Sequence, residues 1–79
     1  MDWFIELKRQ TLSELTDNEN KEQIIKGLDM LRNDYISAFE LNQITEKETD
    51  KLLILNATLQ RIVRIVNDET ISNLCIYEN

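Results

Sequence analysis

The sequence of 79 residues contains no His and no Pro, and it has one glycine, Gly27, and one cysteine, Cys75. Without His or a second Cys, the chain cannot form a His-based catalytic triad, a Cys/His zinc site or an internal disulfide. One glycine is too few for a phosphate-binding loop or a dinucleotide-binding motif. These absences exclude several common classes of enzyme and metal protein. We therefore predict a non-catalytic protein with no cofactor, no metal site and no catalytic residue.

Basic residues are scarce as well. There are 9 Lys and Arg against 15 Asp and Glu, which gives a formal net charge of −6. Such a chain repels nucleic acid and anionic membranes, which makes both unfavourable partners. The apolar run 52–55 is far shorter than the roughly 20 residues of a membrane-spanning helix, and Asp2 lies where a signal peptide carries basic residues. The sequence thus predicts a cytoplasmic protein.

Apolar residues recur at helical spacing through most of the chain and predict three helices. The first begins at the N-cap Asp2 and ends near Thr16, where a polar run predicts a turn. The second extends from about Asn20 to Leu41, and the third from Glu46 to about Asn67. The second and third are equally long, so they predict an antiparallel helical hairpin.

Two local motifs separate the helices of this hairpin. Asn42 tolerates the left-handed conformation that ends many helices, so the turn is predicted at residues 41–44. Thr45 and Glu48 have the spacing of a capping box, in which each side chain accepts a hydrogen bond from the backbone of the other. This pair predicts the start of the third helix.

Each predicted helix carries an apolar stripe. In the first helix it is Met1, Ile5, Lys8, Leu12 and Leu15, widened by Phe4 and Leu7. In the second it is Ile24, Leu28, Leu31, Tyr35 and Ala38. In the third it is Leu52, Leu55, Leu59, Ile62 and Val66, with further apolar residues beside it. A helix that is apolar around so much of its circumference packs on more than one side.

The predicted fold is a single all-α domain over residues 1–79. It is a small bundle formed by an N-terminal helix, the long antiparallel hairpin and a short C-terminal segment. That segment, residues 68–79, is compatible with further helical turns or with an extended arm. A chain of this size buries only roughly 63% of its unfolded surface, so we also predict a homodimer. The stripe of the third helix is then either a self-association surface or part of the core.

Two pairs of residues are candidate partner-binding sites. Trp3 and Phe4 are large aromatic residues near a chain end, a type that often anchors protein partners. The alternative is that they cover the core. Arg61 and Arg64 lie one turn apart on the third helix. Residues 43–66, which include this helix, have a net charge of +1, whereas residues 1–20, 21–42 and 67–79 are each net negative. They either bind an acidic group or pair with acids of the same chain.

Two other features have structural explanations. Glu46, Glu48 and Asp50 lie in the first turns of the third helix, where the helix dipole favours negative charge. Alternate helical residues also point apart, which does not suit a metal site. Cys75 lies between apolar residues, as a buried cysteine does.

The predicted function is regulation by binding another protein. Inhibitors, anti-defence factors, antitoxins and immunity proteins of bacteria or phages are of this kind, and an acidic chain can also act by mimicry of nucleic acid. The ten Ile and eight Asn against two Ala favour an A/T-rich bacterial or phage genome. One alternative is a structural or assembly component, such as a phage chaperone or scaffold element. A less favoured alternative is a DNA-binding regulator that uses Arg61 and Arg64.

Overall fold

The structure is a computed structural model in which residues 2–18 and 20–66 are described. These described residues form three helices: α1 (Trp3–Asp17), α2 (Lys21–Glu40) and α3 (Glu46–Ile65). The predicted all-α class is confirmed, and each helix boundary lies within about two residues of its prediction. Met1 and the predicted C-terminal segment 68–79 lie outside the described residues. Among the described helices, none combines the length and apolarity needed to cross a membrane.

Polar side chains start all three helices. The carboxylate of Asp2 accepts hydrogen bonds from the backbone N–H groups of Phe4 and Ile5, and the side chain of Asn20 accepts one from Gln23. The capping box at α3 is confirmed. Thr45 Oγ1 accepts from the N–H of Glu48 at 3.1 Å, and Glu48 Oε1 accepts from the N–H of Thr45 at 2.9 Å. Each cap satisfies backbone donors that a helix start leaves free.

The turn between α2 and α3 is a helix-ending motif centred on Asn42. This residue has a positive φ of 59°, as predicted. Its N–H donates to the carbonyl of Phe39 at 3.0 Å, and the N–H of Gln43 donates to the carbonyl of Ala38 at 2.8 Å. These two bonds form the Schellman pattern, which reverses the chain after α2 and makes the hairpin possible.

The core consists of two apolar clusters. One lies towards the α2–α3 turn, and its buried members are Leu7, Leu31, Tyr35, Ala38, Ile44 and Leu52. The other lies towards the opposite end of the hairpin, and its buried members are Ile24, Leu28, Leu59 and Val63. All five residues of the predicted α2 stripe are buried, so that prediction is confirmed. α2 is therefore the element around which both clusters form.

The predicted stripe of α1 is wrong at three positions, although Phe4, Leu7 and Leu15 do pack in or against the core clusters. Leu7 and Thr11 are the buried residues of this helix, whereas Ile5, Lys8 and Leu12 are exposed. The buried face is thus rotated by about a quarter turn from the predicted one. The reason is that Thr11, a polar residue, packs inside the bundle against the hydroxyl of Tyr35.

A buried polar network links the three helices between the two apolar clusters. The side-chain amide of Asn56 donates to the carbonyl of Leu28 at 2.7 Å and to the hydroxyl of Tyr35 at 3.4 Å. The Tyr35 hydroxyl is hydrogen-bonded to Thr11, whose own hydroxyl donates to the carbonyl of Leu7 at 2.8 Å. Since each hydroxyl has one hydrogen, Tyr35 donates to Thr11.

Candidate functional site

A groove between α2 and α3 has a volume of about 830 Å³. All of its lining residues belong to α2 and α3. They are Asp29, Arg32, Leu53, Ile54, Asn56, Ala57, Gln60, Arg61, Arg64 and Ile65. α1 contributes no side chain to the groove, so this side of the hairpin is open.

Aliphatic side chains of α3 line the groove along most of its length. Ile54 and Ile65 have 67% and 77% of their surface exposed, and they lie about three turns apart. On the same helix, Leu53 is half-buried and Ala57 is exposed. Leaving large aliphatic groups in water is unfavourable, and clustered exposed aliphatics commonly mark a binding surface.

Three arginines make the groove positive in an acidic protein. Arg32 extends from α2, and Arg61 and Arg64 from α3, against a single acid, Asp29. Within residues 2–18 and 20–66, none of the three arginines forms an ion pair with an acid. Their charge is therefore available to a partner.

Gln60 joins the groove to the buried polar network. Its amide nitrogen donates to Asp29 Oδ1 and to Asn56 Oδ1, each at 2.9 Å. Its amide oxygen accepts from Nη2 of Arg64 at 3.2 Å. Gln60 thereby orients the side chain of Arg64, and it also holds the carboxylate of Asp29 by a hydrogen bond on the groove wall. The position of a groove arginine thus depends on core residues.

The structure brings the predicted pair Arg61 and Arg64 together in one groove and adds Arg32, which the sequence prediction missed. The sequence holds one weak signal for it, because Arg32 lies one turn after Leu28 of the buried stripe, on a helix whose flank faces α3.

The alternative for the two arginines is pairing within the chain: Arg61 with acids of a packed helix, and Arg64 with Asp68 one turn on. Pairing of Arg61 with such acids does not occur among the described residues. Asp68 lies outside the described residues, so its pairing with Arg64 stays a prediction.

Trp3 and Phe4 lie apart from the arginine groove. Phe4 is half-buried and packs against the cluster near the α2–α3 turn. Trp3 is 38% exposed and lines a smaller concavity with residues from the end of α2, among them Ala38 and Leu41. Both aromatic side chains therefore cover one end of the bundle, and they form no common site with Arg61.

The predicted stripe of α3 is divided between core and surface. Leu52 and Leu59 are buried, and Leu55 and Val66 are half-buried against the second cluster. Ile62 is 44% exposed. Val63, the residue after Ile62, is buried instead, and so is Asn56, the residue after Leu55. At both places the buried residue of α3 is thus one position later than the predicted one.

Two acidic residues away from the groove, Glu6 and Glu48, have structural partners. Nε and Nη2 of Arg9 donate to the carboxylate of Glu6, at 3.2 Å and 2.6 Å. This contact, with a further hydrogen bond from Gln10, lowers the pKa of Glu6 from 4.5 to about 2. Glu48 caps α3. In the described part of the chain, no three His, Cys, Asp or Glu residues converge as a metal site would require.

Comparisons with known proteins find no matching protein family, no similar curated protein and no similar solved structure.

Proposed function

We propose that this protein is a non-catalytic regulator that acts by binding another protein through the groove between α2 and α3. One observation carries the proposal: the hairpin leaves Ile54 and Ile65 exposed beside three arginines that have no acidic partner among the described residues. Apolar contacts supply the binding free energy, and the charges select the partner and its orientation.

The use of polar residues supports a non-catalytic role. Thr11, Tyr35 and Asn56 are buried and hydrogen-bonded to one another. Thr45 and Glu48 are joined in the capping box. A general acid, a general base or a nucleophile has to reach a substrate, whereas these groups are held by neighbouring atoms of the chain.

The test is affinity capture from lysate of the source cell with three forms of the full chain. The wild type is expected to retain a protein that Ile54→Asp loses. Ile5→Asp is the matched control, because Ile5 is similarly exposed, at 61%, but lies on α1 outside the groove. Circular dichroism confirms that the variants are folded. Equal capture by wild type and Ile54→Asp would show that the groove is not the binding surface.

The proposal includes a homodimer formed through a different surface. Leu12 lies one turn before Leu15 on α1, and Ile62 lies one turn before Val66 on α3. Leu15 and Val66 pack against the same core cluster. Leu12 and Ile62 are each 44% exposed. We infer from these neighbours that Leu12 and Ile62 belong to one apolar surface on the side where α1 meets α3. A second copy would cover both.

A further inference from the structure

We propose that the groove between α2 and α3 binds an amphipathic helix of another protein, with an apolar stripe flanked by Asp or Glu residues. This inference rests on the proposed function and specifies the chemistry of the partner. It follows from the shape of the groove, its apolar wall and its charge.

The shape favours a helix over a strand. The walls of the groove are two α-helices, whose backbone N–H and C=O groups are already hydrogen-bonded within each helix. An added strand needs free backbone groups at a sheet edge, which helical walls do not offer. The lining of α3 extends from Leu53 to Ile65, which is about 18 Å at 1.5 Å per residue. A partner helix of about three turns matches that length.

The apolar wall fits the stripe of such a helix. Ile54 and Ile65 project at the two ends of the lining, and Ala57 lies between them. The small side chain of Ala57 leaves room for a bulky residue of the partner. Side chains at positions i, i+4 and i+7 of a helix form the row that enters a groove of this type.

The charge selects acidic flanks. Arg32 lies on the α2 wall and Arg61 and Arg64 on the α3 wall, so each wall carries at least one arginine, and the lining holds three arginines against one acid. Asp29 is the one acid of the lining, and it already accepts a hydrogen bond from Gln60. A helix with carboxylates on both sides of its apolar stripe meets an arginine on each wall, and Arg can bind carboxylates through two parallel hydrogen bonds.

The same charges disfavour two other occupants. A second copy placed groove against groove by a two-fold axis brings the three arginines of one chain towards those of the other. Nucleic acid needs contacts to many of its phosphates, but the groove offers three arginines beside an aliphatic wall and the chain as a whole is acidic, at −6.

The experiment uses two designed peptides that share one apolar stripe and differ in their flanks, which carry Glu in one and Lys in the other. Binding to the full chain is measured by fluorescence anisotropy. We expect the Glu peptide to bind more tightly by about tenfold or more, the combined effect of several partly exposed ion pairs. Arg61→Glu/Arg64→Glu is expected to abolish or reverse that preference.

Lys47→Glu/Lys51→Glu is the matched control. It makes the same change in net charge on the same helix, but neither lysine lines the groove. The control is expected to keep the preference for the Glu peptide. Equal loss in both double variants would show that overall charge, and not the groove, sets the preference, and would overturn the proposal.

Four further results would overturn it. They are equal binding of the two peptides, binding of neither, displacement of the Glu peptide by double-stranded DNA, and a dimer that becomes monomeric on Arg61→Glu/Arg64→Glu. The last would assign the groove to a second copy. If the peptides show no preference while capture from lysate still depends on Ile54, the partner is not an acidic helix but the proposed function stands.

Discussion

Asn56 is the residue on which the buried polar network depends. Its amide is fully buried, donates to Leu28 and Tyr35, and accepts from Gln60, so both of its donors and its oxygen are used. A buried polar group with all of its hydrogen bonds formed restricts the packing of its neighbours, because a shifted register would leave those bonds unmade. Asn56 thereby fixes α2 and α3 relative to each other.

We expect Asn56→Ala to lower the free energy of unfolding by about 2–4 kcal/mol, because it removes these hydrogen bonds and leaves a cavity. Asn56→Leu refills most of the volume and is expected to cost less than Asn56→Ala. Urea denaturation at one fixed protein concentration measures both changes. If Asn56→Ala and Asn56→Leu lowered the free energy of unfolding equally, the cavity would not contribute to the loss in Asn56→Ala.

Glu6 gives a prediction about pH. The pKa of its carboxyl is lowered to about 2 by Arg9 and Gln10. A lowered pKa in the folded state means that the contribution to stability is fully present above the unfolded pKa, near 4.5, and is lost as the pH falls towards 2. Carbon-detected NMR titration should place the Glu6 midpoint near pH 2.

Arg9→Gln is expected to raise the pKa of Glu6 towards its ordinary value, because it removes the main cause of the shift. Arg64→Gln is the control, since Arg64 lies on α3 and bonds to Gln60. A Glu6 midpoint that stays near pH 2 in Arg9→Gln would show that another group stabilises the carboxylate.

At the scale of the helices, the capping box decides where α3 begins. We expect Thr45→Ala to lower the free energy of unfolding by about 1 kcal/mol, because the backbone N–H of Glu48 loses the hydroxyl oxygen that accepts its hydrogen bond. For a domain of this size, that corresponds to a fall in Tm of about 4–8 °C, measurable by thermal circular dichroism.

Thr58→Ala is the matched control for the cap. Thr58 lies in the middle of α3 on its exposed side, and its hydroxyl donates to the carbonyl of Ile54 at 2.8 Å. Alanine is a better helix former than threonine, so this change should leave stability within about 0.5 kcal/mol of the wild type. A similar loss in both variants would mean that the cap makes no special contribution.

The helices differ in how well their sequences predict their packing. The buried residues of α2 are apolar, or amphipathic in the case of Tyr35, so hydrophobic spacing alone identifies all five. In α1 and α3, Thr11, Asn56 and Gln60 occupy buried positions. Hydrophobic periodicity assigns such residues to the surface, and only their partners on other helices make their burial favourable.

At the scale of the whole molecule, the prediction concerns the oligomeric state. We expect sedimentation equilibrium at micromolar concentration to show a dimer, because a 79-residue chain has a small core and Leu12 and Ile62 remain exposed. Leu12→Asp/Ile62→Asp is expected to give a monomer, since two buried carboxylates would face the partner.

Met30→Asp is the control for the dimer. Met30 is 62% exposed on α2, and it lies outside both the groove and the proposed dimer contact. This variant should sediment like the wild type. A wild type that is monomeric at micromolar concentration would contradict the homodimer and leave the groove as the single proposed interface.

The sequence by itself determined the three helices of the described residues, their boundaries, both caps of the hairpin and the buried face of α2. These features depend on interactions within a few residues of the chain, such as capping hydrogen bonds and the 3.6-residue period. The tertiary structure alone decided that Thr11 and Asn56 are buried and that Arg32 joins Arg61 and Arg64 in one groove. Those features require contact between helices, which local spacing does not specify.

Although basic residues are scarce in the sequence, the fold brings three of them together in one groove. Arg32 is separated from Arg61 by the last eight residues of α2, the turn and much of α3, and packing of the hairpin places both arginines on one groove. The physical reason is that helix packing follows burial of Leu28, Leu59 and their neighbours, which places the flanks of α2 and α3 side by side. A chain of net charge −6 thus presents a locally positive surface.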